Sequence, residues 1–169
     1  MSSSNVIASV VDSRTAWWSL GCLMVELPRT SDTAPFVSEA TLPEGASPPL
    51  HVHADLDDSF YILEGLIVLQ CGDDVSLGTP GTWVPFPKGV PHTFRVLDGA
   101  ARTLQIHADD SFLALVRELG EPAPALRLPT TSGGPGVEAM TRAFSAHGIT
   151  NVGPSMEEGE AREYLSRLV

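Results

Sequence analysis

Residues 51–65 read HVHADLDDSFYILEG, and this stretch decides the fold that the sequence predicts. Side chains two residues apart on a strand point to the same face of a sheet, so His51 and His53 should project together. Two imidazoles placed in this way can hold one metal ion, each through a ring nitrogen. The start of the stretch therefore predicts a strand that carries two metal ligands.

The rest of the stretch predicts a turn and a second strand. The acidic run at 54–57 is unsuited to a buried strand, so the chain should turn there. The next strand begins near Asp58, with Phe60 and Ile62 on the same face. This face can return the Asp58 carboxylate to the metal as a ligand. Alternatively, Asp58 lies near the metal without binding it, or belongs to a solvated acidic turn.

Residues 81–92 read GTWVPFPKGVPH and supply a third histidine. A strand at 82–85 is followed by a Pro-x-Gly turn, and His92 opens the next strand with Phe94 and Val96 on its face. An apolar face with a histidine at its mouth is what a metal pocket inside a barrel requires. We expect the substrate pocket to be lined by four side chains, although core packing is the simpler role for the aromatic ones. They are Phe60, Ile62, Phe94 and Val96.

Short strand-like segments separated by Gly and Pro turns recur closely along the chain. They are Trp17–Leu27, Phe36–Leu42, Leu50–His53, Ser59–Leu63, Leu66–Cys71, Val75–Leu77, Thr82–Pro85, His92–Leu97 and Ala101–His107. Such spacing predicts an all-β sandwich or barrel rather than a parallel α/β sheet. We therefore expect a β-barrel over residues 1–110, with its core at 36–107.

The character of the sequence changes near residue 110. Asp109, Asp110 or Ser111 can cap a helix over Phe112–Leu119, and Gly120 can stop it. Two further helices are predicted over Val137–His147 and Met156–Leu168, on either side of Gly148. Residues 111–169 are therefore predicted to form a C-terminal helical extension that packs on the barrel.

The two histidine stretches together resemble the two motifs of the cupin family. The first is His51-x-His53, four residues, Asp58, six residues and Gly65; the second is Gly81, five residues, Pro87-x-Gly89, two residues and His92. The resemblance covers residues 36–107 and implies a cupin double-stranded β-helix, or jelly-roll barrel. It also implies a divalent metal held by His51, His53, His92 and the motif carboxylate. The helical ending is similar to that of single-domain quercetin dioxygenase-like cupins.

Two positions depart from the family pattern. The family usually has Glu at the position of Asp58, and Asp is shorter by one carbon–carbon bond, about 1.5 Å. It usually has Asn at the position of Val96. In the quercetinase resemblance, the motif carboxylate both binds the metal and takes the substrate hydroxyl proton. That catalytic role would fall here to Asp58.

The metal and the reaction stay open at this stage. Oxygen and nitrogen ligands suit Fe, Mn, Co, Ni, Cu or Zn, and the sequence does not choose between them. A redox-active metal implies dioxygenation of an enol-bearing, aromatic small molecule. A metal such as Zn implies isomerisation, cyclisation or decarboxylation. The third alternative is a cupin that binds a small molecule without catalysis.

The net charge of −11 over 169 residues argues against nucleic acid and anionic membranes as partners. No apolar run is long enough to span a membrane, so we expect a cytoplasmic protein with two free thiols, Cys22 and Cys71. The hydrophobic segment Trp17–Leu27 favours a homodimer. His107 ends a strand and could face the pocket, but we expect it to be a surface residue; we expect His147 to take no part in the chemistry.

Overall fold

A computed structural model describes residues 15–29, 31, 33–130 and 136–169. The strands are β1 (Ala16–Ser19), β2 (Cys22–Glu26), β3 (Phe36–Leu42), β4 (Pro49–His53), β5 (Asp58–Cys71), β6 (Asp74–Gly78), β7 (Trp83–Phe86), β8 (His92–His107), β9 (Glu121–Pro122) and β10 (Ile149–Ser155). The helices are α1 (Ser111–Leu119), α2 (Val137–Ala146) and α3 (Glu158–Leu168). The all-β prediction with C-terminal helices is confirmed.

Two long strands, β5 and β8, form the centre of the barrel. They pair antiparallel from Asp58 opposite His107 to Cys71 opposite His92. Each is bent where the sequence predicts a break between two strands: β5 at Gly65 (φ 89°), and β8 at Asp98 and Gly99 (φ 55° and 104°). The bends let each strand run through both halves of the barrel, which places His92 and His107 at opposite ends of one strand.

The barrel interior is filled by side chains that alternate along the strands. In β3, every second residue from Phe36 to Leu42 is buried, as the alternation in the sequence predicts. The main core cluster consists of apolar side chains from β2, β3, β5, β7 and β8, together with Val116 of α1. Leu42, Ile62 and Val96 are among its most deeply buried members. Inward-facing positions therefore define the interior in which the site lies.

The prediction of one strand over Trp17–Leu27 is wrong. The segment forms a hairpin of β1 and β2, paired from Ala16 opposite Val25 to Ser19 opposite Cys22. Leu20 and Gly21 form the turn and both have positive φ, 55° and 77°. A two-residue turn of this kind matches the twist of the two strands, and Gly21 was its sole signal in an otherwise apolar segment. Cys22 and Cys71 are free thiols, as predicted.

The C-terminal extension contributes strands as well as the predicted helices. β10 pairs with β4, and β9 pairs with β1, so the extension and the barrel share one sheet. The description of residues 111–169 as helical is therefore incomplete. Residues 1–14, included in the predicted barrel unit, lie outside the described residues. No helix in the described part of the chain has the length and apolar character needed to cross a membrane.

Candidate metal centre

Three histidine side chains converge at one end of the barrel. His51 and His53 come from β4, and His92 opens β8 directly opposite His51. The ring centroids are 4.4 Å apart for His51 and His92, 5.2 Å for His51 and His53, and 5.1 Å for His53 and His92. One nitrogen from each ring lies within 4.8 Å of the other two. The structure thus brings together the three histidines that the sequence predicts as metal ligands.

Backbone carbonyls orient two of the three rings. The Nδ1 atom of His51 lies 2.8 Å from the carbonyl oxygen of Pro49, and that of His92 lies 3.0 Å from the carbonyl oxygen of Val90. A ring nitrogen facing a carbonyl carries the proton and donates, so Nε2 keeps its lone pair. Histidine ligands of metals are usually oriented by such a hydrogen bond. His53 differs, because its Nδ1 atom is buried without a hydrogen-bond partner.

All three imidazoles are held in the neutral form. Burial and, to a smaller extent, the nearby His92 lower the pKa of His51 to about 4, although the hydrogen bond to Pro49 opposes the change. Burial, followed by the charges of His51, His92 and His107, lowers the pKa of His53 to about 3. Burial also lowers the pKa of His92. Neutral imidazoles with free lone pairs are the form that binds a metal, so these three residues fit a divalent cation.

Asp58 is placed beside a different histidine. Its Oδ1 atom lies 3.3 Å from Nδ1 of His107, the residue opposite it in the β5–β8 ladder. The structure does not bring the Asp58 carboxylate into the group of three ligand nitrogens. Burial raises the pKa of Asp58 to about 8, although a hydrogen bond from the backbone of Ser59 opposes the change. The ligand role of Asp58 stays a prediction.

His107 is fully buried, so its expected place at the surface is wrong. Its ring stacks between Phe36 and Phe112, at centroid distances of 5.6 Å and 4.3 Å. Burial lowers its pKa to about 3. At neutral pH the pair with Asp58 is therefore a protonated carboxyl beside a neutral imidazole rather than an ion pair, despite the short distance. The sequence pattern points the other way, because the polar residues Thr103, Gln105 and His107 alternate with Leu104 and Ile106, yet the polar set lies inside.

The four predicted pocket residues lie in the main core cluster. Phe60 is buried, Ile62 and Val96 have no exposed surface, and Phe94 is partly buried. An aromatic side chain that the sequence reasoning missed, Phe86, stacks on His92 at 4.7 Å and meets Phe60 edge-on at 5.2 Å. Core packing is thus observed, while contact of these four residues with a substrate stays a prediction.

The remaining predicted residues lie away from the three histidines. His147 follows α2 and pairs through Nε2 with Glu118 at 2.8 Å on the surface, in keeping with a role outside the chemistry. Among the acidic residues of the predicted turn, Asp57 accepts a hydrogen bond from the backbone N–H of Lys88 at 2.9 Å. This contact fixes the turn against the Pro-x-Gly segment that precedes His92.

Comparison with known proteins concerns mainly the barrel. Residues 38–107 match the family model of the cupin domain. No curated protein matches the chain. A predicted oxalate decarboxylase from Thermotoga maritima superposes with a TM-score of 0.50 and 19% identity, covering 59% of this chain and 97% of that one. KdgF from a Halomonas species superposes with a TM-score of 0.49 and 16% identity, covering 54% of this chain and 83% of that one. At such identities the likeness concerns the fold alone.

Proposed function

The chain has the cupin β-barrel fold, and from this we propose that it is a metal-dependent enzyme acting on a small molecule. The observation that carries the proposal is the convergence of His51, His53 and His92, all neutral and two of them oriented by backbone carbonyls. A bound divalent transition metal would supply a Lewis acid and, if redox-active, electrons for oxygen chemistry. The protein's part is to hold the ion and to orient the substrate beside it.

The proposed reaction is quercetinase-like dioxygenation of an enol-bearing, aromatic compound. The aromatic residues next to the histidines support an aromatic substrate, because Phe86 stacks on His92 and Phe60 contacts both Phe86 and Phe94. Aromatic side chains favour aromatic partners in edge-on or offset geometry. In this reaction, the substrate hydroxyl proton would pass to the Asp58–His107 pair, in which the two side chains lie 3.3 Å apart (Oδ1 to Nδ1) and the neutral imidazole has a lone pair to accept it.

A non-redox isomerisation, cyclisation or decarboxylation is the second candidate. It is favoured by the pKa of about 8 for Asp58, because a carboxyl that is protonated at neutral pH can donate a proton as a general acid. A base that removes a substrate proton would instead have to be ionised. The two candidates therefore differ in the direction in which the Asp58–His107 pair first moves a proton.

The two reactions can be separated by metal analysis and oxygen uptake on the purified protein. A divalent Fe, Mn, Co, Ni or Cu ion, together with oxygen consumption when a flavonol is added, would support dioxygenation. Zinc without oxygen consumption would support the non-redox reaction. A tightly bound metal without turnover of any enol-bearing compound would indicate a binding protein. Failure to bind any divalent metal would contradict the proposal as a whole.

A further inference from the structure

The strand that carries two of the three histidines is held mainly from its outer side. Within the described residues, the ladder between β4 and β8 consists of a single pair, His51 opposite His92. The ladder between β4 and β10 has four pairs, beginning with Ile149 opposite His53 and Asn151 opposite His51. The C-terminal extension therefore contributes more of the pairing of β4 than the barrel does.

The contact between β10 and β4 continues beyond the strand ends. The backbone N–H of Ala54 donates to the carbonyl oxygen of Gly148 at 2.9 Å, which extends the pairing past His53. At the other end, a Cβ atom added to Gly153 would lie 3.1 Å from Cδ2 and 3.3 Å from Cβ of Leu50. A side chain at position 153 would therefore press on Leu50, the neighbour of His51 in β4.

Both ends of β10 are anchored to buried clusters. Ile149 packs with Leu115 of α1 and Ala143 of α2. Just past the other end, Met156 packs with Val68 and Leu97 of the barrel strands. The carbonyl oxygen of Met156 also accepts hydrogen bonds from Arg95 Nη1 at 3.0 Å and Ser47 Oγ at 3.2 Å. The strand is therefore fixed to the rest of the molecule at both ends.

We propose that β10 is the positioning element of the metal centre, setting where β4 presents His51 and His53 relative to His92. The inference rests on the proposed metal site and adds that the affinity of the site is coupled to the docking of the C-terminal extension. Coupling of this kind is reciprocal: whatever loosens β10 weakens metal binding, and metal binding stabilises β10. The groups that orient metal ligands typically change affinity about 10–100-fold when they are altered.

The first experiment is a Zn²⁺ titration of the metal-free, full-length chain by calorimetry. Gly153→Leu places a bulky side chain against Leu50 and should raise the Kd for Zn²⁺ about tenfold or more. Gly159→Leu is the matched control, since it makes the same change on α3 of the same extension. A Cβ atom at Gly159 meets nothing within 4 Å. The control should bind Zn²⁺ as the wild type does.

The second experiment does not depend on a substitution that might prevent folding. Amide hydrogen exchange over Ile149–Ser155 should slow when Zn²⁺ is added to the wild-type chain, and should not change in a His53→Ala variant. The inference would be overturned, and the metal site left intact, if folded Gly153→Leu bound Zn²⁺ with wild-type affinity. It would also be overturned if Zn²⁺ did not change the rate of amide exchange in β10. A wild-type chain that binds no divalent cation would overturn both the proposed function and this inference.

Discussion

The metal centre depends on individual imidazoles, and His51 and His53 supply two of the three nitrogens. We expect His51→Ala/His53→Ala to lose the bound metal, because one remaining histidine is too few ligands for a stable site. Metal content measured by mass spectrometry should fall from about one ion per chain to background. His147→Ala, which removes a surface histidine paired with Glu118, should keep the metal. Full occupancy in the double variant would contradict the assignment.

Asp58 tests whether the buried carboxyl binds the metal or handles a proton. We expect Asp58→Asn to weaken metal binding, because it removes the predicted carboxylate ligand at nearly constant shape, and to lower turnover about 10²–10⁴-fold because the group that handles the proton is lost. Asp58→Glu should keep the metal and retain part of the turnover. Unchanged metal content in the Asn variant, with turnover lost, would restrict Asp58 to the proton step beside His107. Metal content and initial rates, measured on the same preparations, distinguish these outcomes.

The histidine positions could be predicted from the sequence because their information is local. His51 and His53 share a strand face because they are two residues apart. Pro87 and Gly89 indicate the turn before His92. The partner of Asp58 could not be predicted in this way. Its contact with His107 depends on the register of β5 on β8, which joins residues far apart in the sequence.

Among the structural elements, the bend of β5 depends on Gly65. Its φ is 89°, and an added Cβ atom would lie 2.7 Å from Cα and 2.8 Å from Cβ of Ala101. We expect Gly65→Ala to lower the free energy of unfolding. The loss should exceed about 1–3 kcal/mol, which is the usual cost of backbone strain alone. Gly81→Ala is the control, since Gly81 has a φ of 93° but open space around it. Urea unfolding that gives equal losses for both variants would contradict a role for the close approach to Ala101.

The elements that the sequence reasoning missed share one physical cause. β10 reads ITNVGPS, with little alternation and a proline, so its strand character comes from pairing with β4 rather than from its own composition. In the first hairpin, Gly21 is too weak a signal beside the apolar residues on both sides. By contrast, β3 and α1 were predicted nearly to the residue, because alternation and a helical pattern ending at Gly120 are both local.

For the whole molecule, buried titratable groups predict how the stability of the metal-free chain depends on pH. The pKa values of His51, His53 and His107 are lowered to about 4, 3 and 3, so the unfolded chain binds more protons below about pH 6.5 and stability falls as the pH is lowered. Asp58 makes stability depend on pH in the opposite direction. Its pKa is raised to about 8, so the folded chain keeps a proton that the unfolded chain loses, and stability falls as the pH rises towards 8.

In acid, the three histidines change the free energy of unfolding more than Asp58 does. Well above the ordinary pKa of histidine, only Asp58 still changes it with pH. Stability should therefore be greatest near pH 7, where the proton uptake of the three unfolded histidines falls to that of folded Asp58, and then decline by at most about 1.4 kcal/mol per pH unit up to pH 8. Urea unfolding between pH 5 and 8 measures this curve. Asp58→Asn should abolish the decline above pH 7, and a decline that persists in this variant would assign it to other groups.

The homodimer stays a prediction, and two exposed aromatic residues on the outer surface of the barrel provide a place to test it. Tyr61 and Trp83 face each other across β5 and β7 and are 36% and 54% exposed. We expect a dimer mass by light scattering at micromolar concentration, and a monomer for Trp83→Glu, because a charge in an apolar interface is not compensated. Leu126→Glu changes another exposed apolar residue, 51% exposed, and should leave the dimer intact. A monomeric wild type would contradict the prediction.

The pairing of β10 with β4 also has a consequence for the order of events during synthesis. Chains emerge from the ribosome N-terminal end first, at about 5–20 residues per second. His51, His53 and His92 emerge well before Ile149, yet β4 gains most of its pairing only with β10. A nascent chain therefore carries His51 and His53 on a strand that lacks most of its pairing until β10 has been synthesised and has docked. Full metal affinity is for this reason expected only once β10 is in place, and a chain terminated before Ile149 should bind metal more weakly than the full chain.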